Sequence, residues 1–317
     1  MTEHLIYLDF LGLKLLNMNR TPKSSFEKIL GKQRNIDSSL PFWRVWYKIR
    51  ALWRHIRVSK LATHLLGRQY QRSRDMIEID ITYLCNLHCL NCNRSVSQAQ
   101  ESLHMPVSMI TQFVEDSISR GKEWRRIRIL GGEPTLHPDF HKIIKELQLY
   151  GEMYPSCIIE VVTNGNGARV KSELAQLPKE IWIDNSNKNS PIQPHFGPFN
   201  LAPVDDPLYN NTDFSNGCSV MQDCGMGLTP TGYYPCAVAG GIDRVLKANL
   251  GTTLPGDEDN MTKAASELCK LCGRFRDGHY IPEVLRPELT EEKISETWKG
   301  IYARWHDEAK RSEGFEV

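Results

Sequence analysis

Cys85, Cys89 and Cys92 sit in the run Cys85-Asn86-Leu87-His88-Cys89-Leu90-Asn91-Cys92, separated by three and then two residues. Thiolates are the ligands that an iron-sulfur cluster needs, and this spacing lets one tight loop wrap three sulfurs around one cube. A 4Fe-4S cube held by three cysteines keeps its fourth iron free of protein ligands and open for chemistry. Zinc and disulfides are the other uses of clustered cysteines. A structural zinc site takes four ligands in two short pairs, whereas these three cysteines have no fourth close by in the sequence. The chain has nine cysteines, an odd number. The apolar run Leu5 to Leu16 holds Asp9 and Lys14 and lacks a small-residue cleavage site, so it does not read as a secretory signal. A reducing, cytoplasmic setting is therefore expected rather than a disulfide scaffold.

The elements around the loop read as alternating strands and helices. Residues 77 to 84 alternate apolar and polar and run into Cys85, which predicts a strand feeding the loop. A helix is expected over 107–120, a second strand from Arg126 to Leu130, and a helix starting near Pro138, where proline suits a first turn. Ile158 to Thr163 form a third strand, Ala168 to Leu177 a helix, and Glu180 to Asp184 a fourth strand. Such alternation implies a parallel sheet. Phe196 to Leu201 is a candidate for one further strand. Glu78, Asp80 and Thr82 share one side of the first strand, and Arg126 and Arg128 one side of the second; the sequence leaves open whether they face inward.

Gly131-Gly132-Glu133-Pro134 follows the second strand. Glycine permits close backbone approach to a ligand, and a glutamate accepts hydrogen bonds from an ammonium group. The three-cysteine loop, this segment and their places after successive strands resemble the radical S-adenosylmethionine (SAM) enzymes over roughly residues 76 to 200. The resemblance implies an α/β fold, a partial (β/α)6 TIM-like barrel with its site at the carboxyl ends of the strands. It implies that the free iron chelates SAM, that Gly131, Gly132, Glu133 and Pro134 meet the SAM amino group, and that Thr163, Asn164 and Asn185 meet its ribose and carboxylate. The family commonly has an aromatic residue before the third cysteine, where this chain has Asn91.

Five more cysteines follow residue 217: Cys218, Cys224, Cys236, Cys269 and Cys272. Between Cys224 and Cys236, Gly227 to Pro235 reads as a β-hairpin with Pro230 and Gly232 at its turn. A cysteine, a hairpin, a second cysteine and a later C-x2-C pair resemble the auxiliary-cluster domain called twitch, the short form of SPASM. That implies a second 4Fe-4S cluster on Cys218, Cys236, Cys269 and Cys272, with structural zinc as its rival. Cys224 is left over, as an alternative ligand, a hydrogen donor in catalysis or neither. Cys157 reads as a packed small hydrophobe.

The boundaries expected are a basic helical region at 1–75, the barrel at 76–207 and the auxiliary domain at 208–317. A net charge of +1 and 40% hydrophobic residues describe a soluble globular chain and give no sign of a nucleic-acid partner. From Pro41 to Arg74 there are nine basic and no acidic residues, with Phe42, Trp46, Ile49, Trp53 and Ile56 at helical spacing. This reads as a basic amphipathic helix. It is expected to lie across the barrel with its arginines in water, in preference to resting on an anionic membrane surface or capturing an acidic peptide or phosphorylated substrate. The resemblance further implies a reducing partner such as flavodoxin or ferredoxin. The favoured substrate is a small polar molecule, a sugar, nucleoside or similar alcohol, oxidised through the second cluster; peptide crosslinking or epimerisation, and sulfur insertion, are the alternatives.

Overall fold

The computed structural model describes residues 41–90, 92–186, 188, 199–277 and 293–313. Asn91, Asn187 and most of the region 1–75 as far as residue 40 lie outside these, as do Phe196 to Pro198. The strands are β1 (Met76–Thr82), β2 (Arg126–Gly131), β3 (Ile158–Thr163), β4 (Trp182–Asn185), β5 (Met226–Thr229) and β6 (Gly232–Tyr234). They form one sheet in the order β4-β3-β2-β1-β5-β6, parallel throughout except for β6. Helices Val107–Ser119, Phe140–Met153 and Ala168–Ala175 connect β1 to β4. Three β/α units and a fourth strand of this kind fit a partial TIM-like barrel.

Alternation along the strands divides the two faces of the sheet. Ile77, Ile79 and Ile81 join Ile127, Ile129, Ile159 and Val161 in a core with Ile110, Phe113, Ile143 and Leu147 of the covering helices. Cys157 packs against this core, as expected. Glu78, Asp80 and Thr82 are buried on β1 as well. A parallel sheet is enclosed on both sides, so these polar groups cannot look to bulk water and must find partners within the protein.

Several expectations are corrected. Phe199 to Leu201 forms no strand; Phe199 is instead buried edge-on to Trp298 in a second core. The helix expected at Pro138 begins at Phe140, after a short 3-10 turn at Pro134–Leu136. The hairpin β5-β6 does not form a sheet of its own: β5 runs parallel to β1 with Ile77 opposite Met226. A boundary at residue 207 therefore cuts one continuous sheet, although the helices Ala237–Leu246, Thr262–Cys269 and Glu296–Glu313 contribute to the second core.

The basic segment forms helices Pro41–Arg57 and Lys60–Leu66, with the Ser59 hydroxyl capping the second through Ala62 N. Its arginines are not all in water. Arg54 and Arg72 are buried, while Ile49, Trp53 and Ile56 are exposed. No helix among the described residues is long and apolar enough to cross a membrane.

Candidate functional site

The three-cysteine loop leaves the sheet at the carboxyl end of β1, and the next strand holds its start in place. Gly132 N donates to Thr82 O at 2.7 Å and Glu133 N to Leu84 O at 2.8 Å, so Gly131-Gly132-Glu133 continues the β1–β2 pairing past the strand ends. Both glycines are required by that contact. A Cβ on Gly131 would stand 2.1 Å from Thr82 O, and one on Gly132 2.3 Å from Leu84 O. Gly131 also has φ +137°, a conformation that L side chains rarely adopt. The close approach made by these glycines is thus to the chain entering the thiol loop.

Within the loop, Cys92 N donates to Cys89 O at 3.3 Å and Ser95 N to Cys92 O at 3.0 Å, turns that fold the second and third cysteines back. Cys85 Sγ accepts from Leu87 N at 3.4 Å. Burial pushes the Cys85 thiol up to about 11, and the neighbouring Cys92, Glu133 and Cys89 push it the same way. Burial also raises Cys89, with Lys188 acting against it. Thiols held protonated in this way lose their protons when a metal centre takes the sulfur.

Glu133 anchors the site. Its carboxylate is fully buried; Oε1 accepts from Thr135 Oγ1 at 2.7 Å and Thr163 Oγ1 at 2.8 Å, and Oε2 from Asn164 N at 2.8 Å. Pro134 follows it as the first residue of the 3-10 turn. Asn164 in turn donates to Asn86 Oδ1 at 2.9 Å inside the thiol loop. Asn185, at the end of β4, lays its amide against Gly165, while Ser186 N and Lys188 N donate to Thr163 O and Asn164 O. Every residue expected from the sequence to meet SAM therefore gathers at one end of the sheet with the three cysteines. Within that group, the Glu133 side chain ties β2 to β3.

Beneath this end, the inner face carries a ladder of charges that sequence reasoning left undecided. Arg128 on β2 pairs with Glu78 on β1, Glu160 on β3 and Asp184 on β4, the last two at 2.9 and 3.2 Å. Arg126 adds a second contact to Glu160. Arg94, two residues past Cys92 and unnoticed in the sequence, pairs with Asp80 at 3.0 Å and Glu78 at 3.1 Å. Charged residues at alternate positions of strands that a parallel sheet buries on both faces were the available signal.

Cys218, Cys236, Cys269 and Cys272 line one cavity, with Val220, Met221, Leu268 and Phe275 among its apolar walls. Burial raises all four thiols, Cys272 to about 12. Four thiols around one apolar cavity are the ligand type that an iron-sulfur cluster or a zinc ion takes. Cys224 does not line it. Burial pushes Cys224 up to about 12, with Glu78 and Arg128 its next strongest influences. It precedes β5, level with the start of β1, whereas Cys85 follows the end of β1. At about 3.3 Å per residue that is roughly 20 Å from the thiol loop. Cys224 is thus separated from the SAM-side residues and stands by the foot of the charge ladder.

A parallel α/β sheet brings a three-thiol loop and a carboxylate hub together at the carboxyl ends of its strands. Residues 79–183 match the model of the Radical SAM superfamily, so the chain carries a radical SAM domain, the domain of enzymes that use a 4Fe-4S cluster and SAM. Curated relatives include a probable GTP 3',8-cyclase of Sulfurisphaera tokodaii, 31% identical over 122 residues, or 38% of this chain and 35% of that protein. Another is a probable GTP 3',8-cyclase of Methanococcus maripaludis, 32% identical over 119 residues, or 38% of this chain and 37% of that protein. The chain thus spans about a third of the length of these relatives. Among solved structures, BtrN in complex with AdoMet and 2-DOIA aligns over 64% of this chain and 94% of that one, with 17% identity and a TM-score of 0.37. SuiB of Streptococcus suis bound to S-adenosylmethionine aligns over 51% and 35%, with 16% identity and a TM-score of 0.28.

Proposed function

We propose that the chain is a radical SAM enzyme that oxidises a small polar substrate held against the inner face of its sheet, with a second 4Fe-4S cluster on Cys218, Cys236, Cys269 and Cys272. Cys85, Cys89 and Cys92 would hold the first cluster and leave one iron for SAM. When bound, these groups supply a 5′-deoxyadenosyl radical that takes hydrogen from a substrate C–H bond, and a second centre able to accept an electron. The rest is the protein's work of position and exclusion of water. Glu133 fixes the SAM-side backbone, Asn164 ties it to the thiol loop, and Asn185 and Lys188 close the edge by β4.

The observation that carries the substrate reading is the ladder Arg94–Glu78–Arg128–Glu160. Its buried guanidinium and carboxylate groups offer fixed donors and acceptors to hydroxyl, amino or phosphate groups. Buried polar groups of this kind orient a polar ligand and reject an apolar one. The name GTP 3',8-cyclase carried by the relatives supports a small molecule over a peptide.

Iron and sulfide per chain after anaerobic reconstitution test the reading, compared with a variant in which Cys85, Cys89 and Cys92 are all alanine. Two four-iron clusters require about eight irons falling to about four. Production of 5′-deoxyadenosine should vanish in the variant and rise with substrate in a panel of amino sugars, nucleosides and nucleotides. About four irons falling to none, with zinc retained, would refute the second cluster. Absence of 5′-deoxyadenosine from the loaded intact protein would refute the enzyme.

A further inference from the structure

We propose that Arg54 is a positioning residue for the four-cysteine site, a built-in countercharge that raises the reduction potential of the cluster held there; the inference rests on the proposal that this site holds a cluster. The starting observation is a buried cation in neutral company. Arg54 is 2% exposed. Its guanidinium donates to Gly217 O at 2.5 Å, to Phe275 O at 3.1 Å and to the Gln69 amide oxygen, and lies 4.4 Å from the centre of the Phe275 ring. Among the described residues no carboxylate stands within ion-pair distance of it. Arg94, Arg126, Arg128 and Arg244, buried or nearly so, each have one, and buried Arg72, which donates to the Asp259 and Gly256 carbonyls, feels the charges of Asp257 and Asp259.

An isolated buried charge is costly, and proteins pair such groups. The nearest candidates for the missing anion are the thiols. Cys218 and Cys269 are the non-phenolic groups whose charge acts on Arg54, and burial is what lowers its own affinity for a proton. Its hydrogen bonds also bracket the ligand set. Gly217 immediately precedes Cys218, while Phe275 lies three residues beyond Cys272 and lines the same cavity. Four thiolates around an iron-sulfur core carry net negative charge, and reduction adds one more electron. A fixed cation beside them in a poorly polarisable interior favours the reduced form more than the oxidised one. This gives the basic segment that precedes the barrel a use its sequence did not reveal: it buries Arg54 against Phe275, a wall of the four-cysteine cavity.

The test uses full-length chain in which Cys85, Cys89 and Cys92 are alanine, so that only the second site reports. Its midpoint is followed by an electron paramagnetic resonance redox titration, alone and with Arg54→Met or Arg54→Lys added. Loss of the charge should lower the ratio of reduced to oxidised cluster at a fixed potential at least tenfold, a shift of about 59 mV for one electron, while Arg54→Lys stays within about threefold of the parent, a shift of about 28 mV or less. Iron lost from Arg54→Met and kept by Arg54→Lys would also support the countercharge. An unchanged midpoint in an iron-replete Arg54→Met, or equal effects of both substitutions on midpoint or iron content, would overturn it and leave Arg54 a packing residue. A parent that holds no iron at all would instead sink the second cluster itself.

Discussion

Replacing Glu133 separates two roles that a glutamate in this segment can have, contact with a ligand and support of the strand ends. The carboxylate is fully buried and accepts four hydrogen bonds, from Thr135 N, Thr135 Oγ1, Thr163 Oγ1 and Asn164 N. Glu133→Gln keeps the shape but turns an amide NH2 toward one set of donors. With the remaining oxygen kept on the two threonines, the loss falls on Asn164 N. One bond to a charged acceptor, left as a donor facing a donor, costs about 2–3 kcal/mol. Glu133→Ala strands two backbone N–H groups, since the threonine hydroxyls can rotate to other partners. At about 1–3 kcal/mol each, with a cavity added, the loss is about 4–5 kcal/mol. Urea unfolding under anaerobic conditions reads both values as shifts of the midpoint at constant slope. Equilibrium dialysis with SAM on the folded Gln variant supplies the second readout. The reasoning fails if Glu133→Gln unfolds at the parent's midpoint and loses SAM binding outright, because the carboxylate would then serve the ligand and not the fold.

Arg128→Met should destabilise the protein by about 2–3 kcal/mol, since Glu78 and Glu160 keep Arg94 and Arg126 but each lose one charged partner, and partly exposed Asp184 loses its own. Arg128→Lys should recover less than half of that loss, because an ammonium cannot span three carboxylates as the guanidinium fork does; equal urea midpoints for parent and Met variant would contradict this. His137 gives a pH effect. Its Nε2 faces Met105 O and its Nδ1 accepts from Asp139 N, so the ring is neutral, and burial lowers its pKa below 6.5. The unfolded chain then binds the extra proton first, so stability present above about pH 6.5 declines as pH falls below it. Urea midpoints between about pH 7 and pH 5 should fall less steeply in His137→Asn than in the parent, and an identical slope would exclude His137 as a source.

The parts of the fold legible in the sequence are those fixed by local pattern. β3 occupies Ile158–Thr163 as read from the sequence, and the hairpin falls between Cys224 and Cys236. The pairing of that hairpin with β1 was not legible, because β5 is four residues long and nothing in its alternation names a partner. The burial of Arg54 was hidden for a related reason. A helix with Ile49, Trp53 and Ile56 at regular spacing presents itself as apolar on that stripe, and only the surface it meets decides which face turns in. Here the stripe stays exposed and an arginine is taken up. The site residues were found because cysteine spacing and Gly-Gly-Glu-Pro are chemical signatures, but their division of labour was not. Gly131 and Gly132 make room for the chain at Thr82 and Leu84, which a motif cannot show.

Charge is arranged in this molecule by what is meant to enter it. Glu133 has only neutral donors around its carboxylate and is complete in itself. The Arg128 ladder is paired across four strands, so it can be opened only by a ligand that offers donors and acceptors of equal quality. Arg54 is buried with no carboxylate within ion-pair distance among the described residues, and it donates to Phe275 O, a residue that lines the four-cysteine cavity. The first arrangement is that of a structural hub, the second suits the proposed polar substrate, and the third suits the proposed cluster, whose net negative charge comes from the four cysteine thiolates. A zinc ion on four thiolates would also leave net negative charge there, so the sign of the countercharge does not choose between metals. The electron does, because only an iron-sulfur centre changes its charge during turnover and gives a fixed cation something to tune.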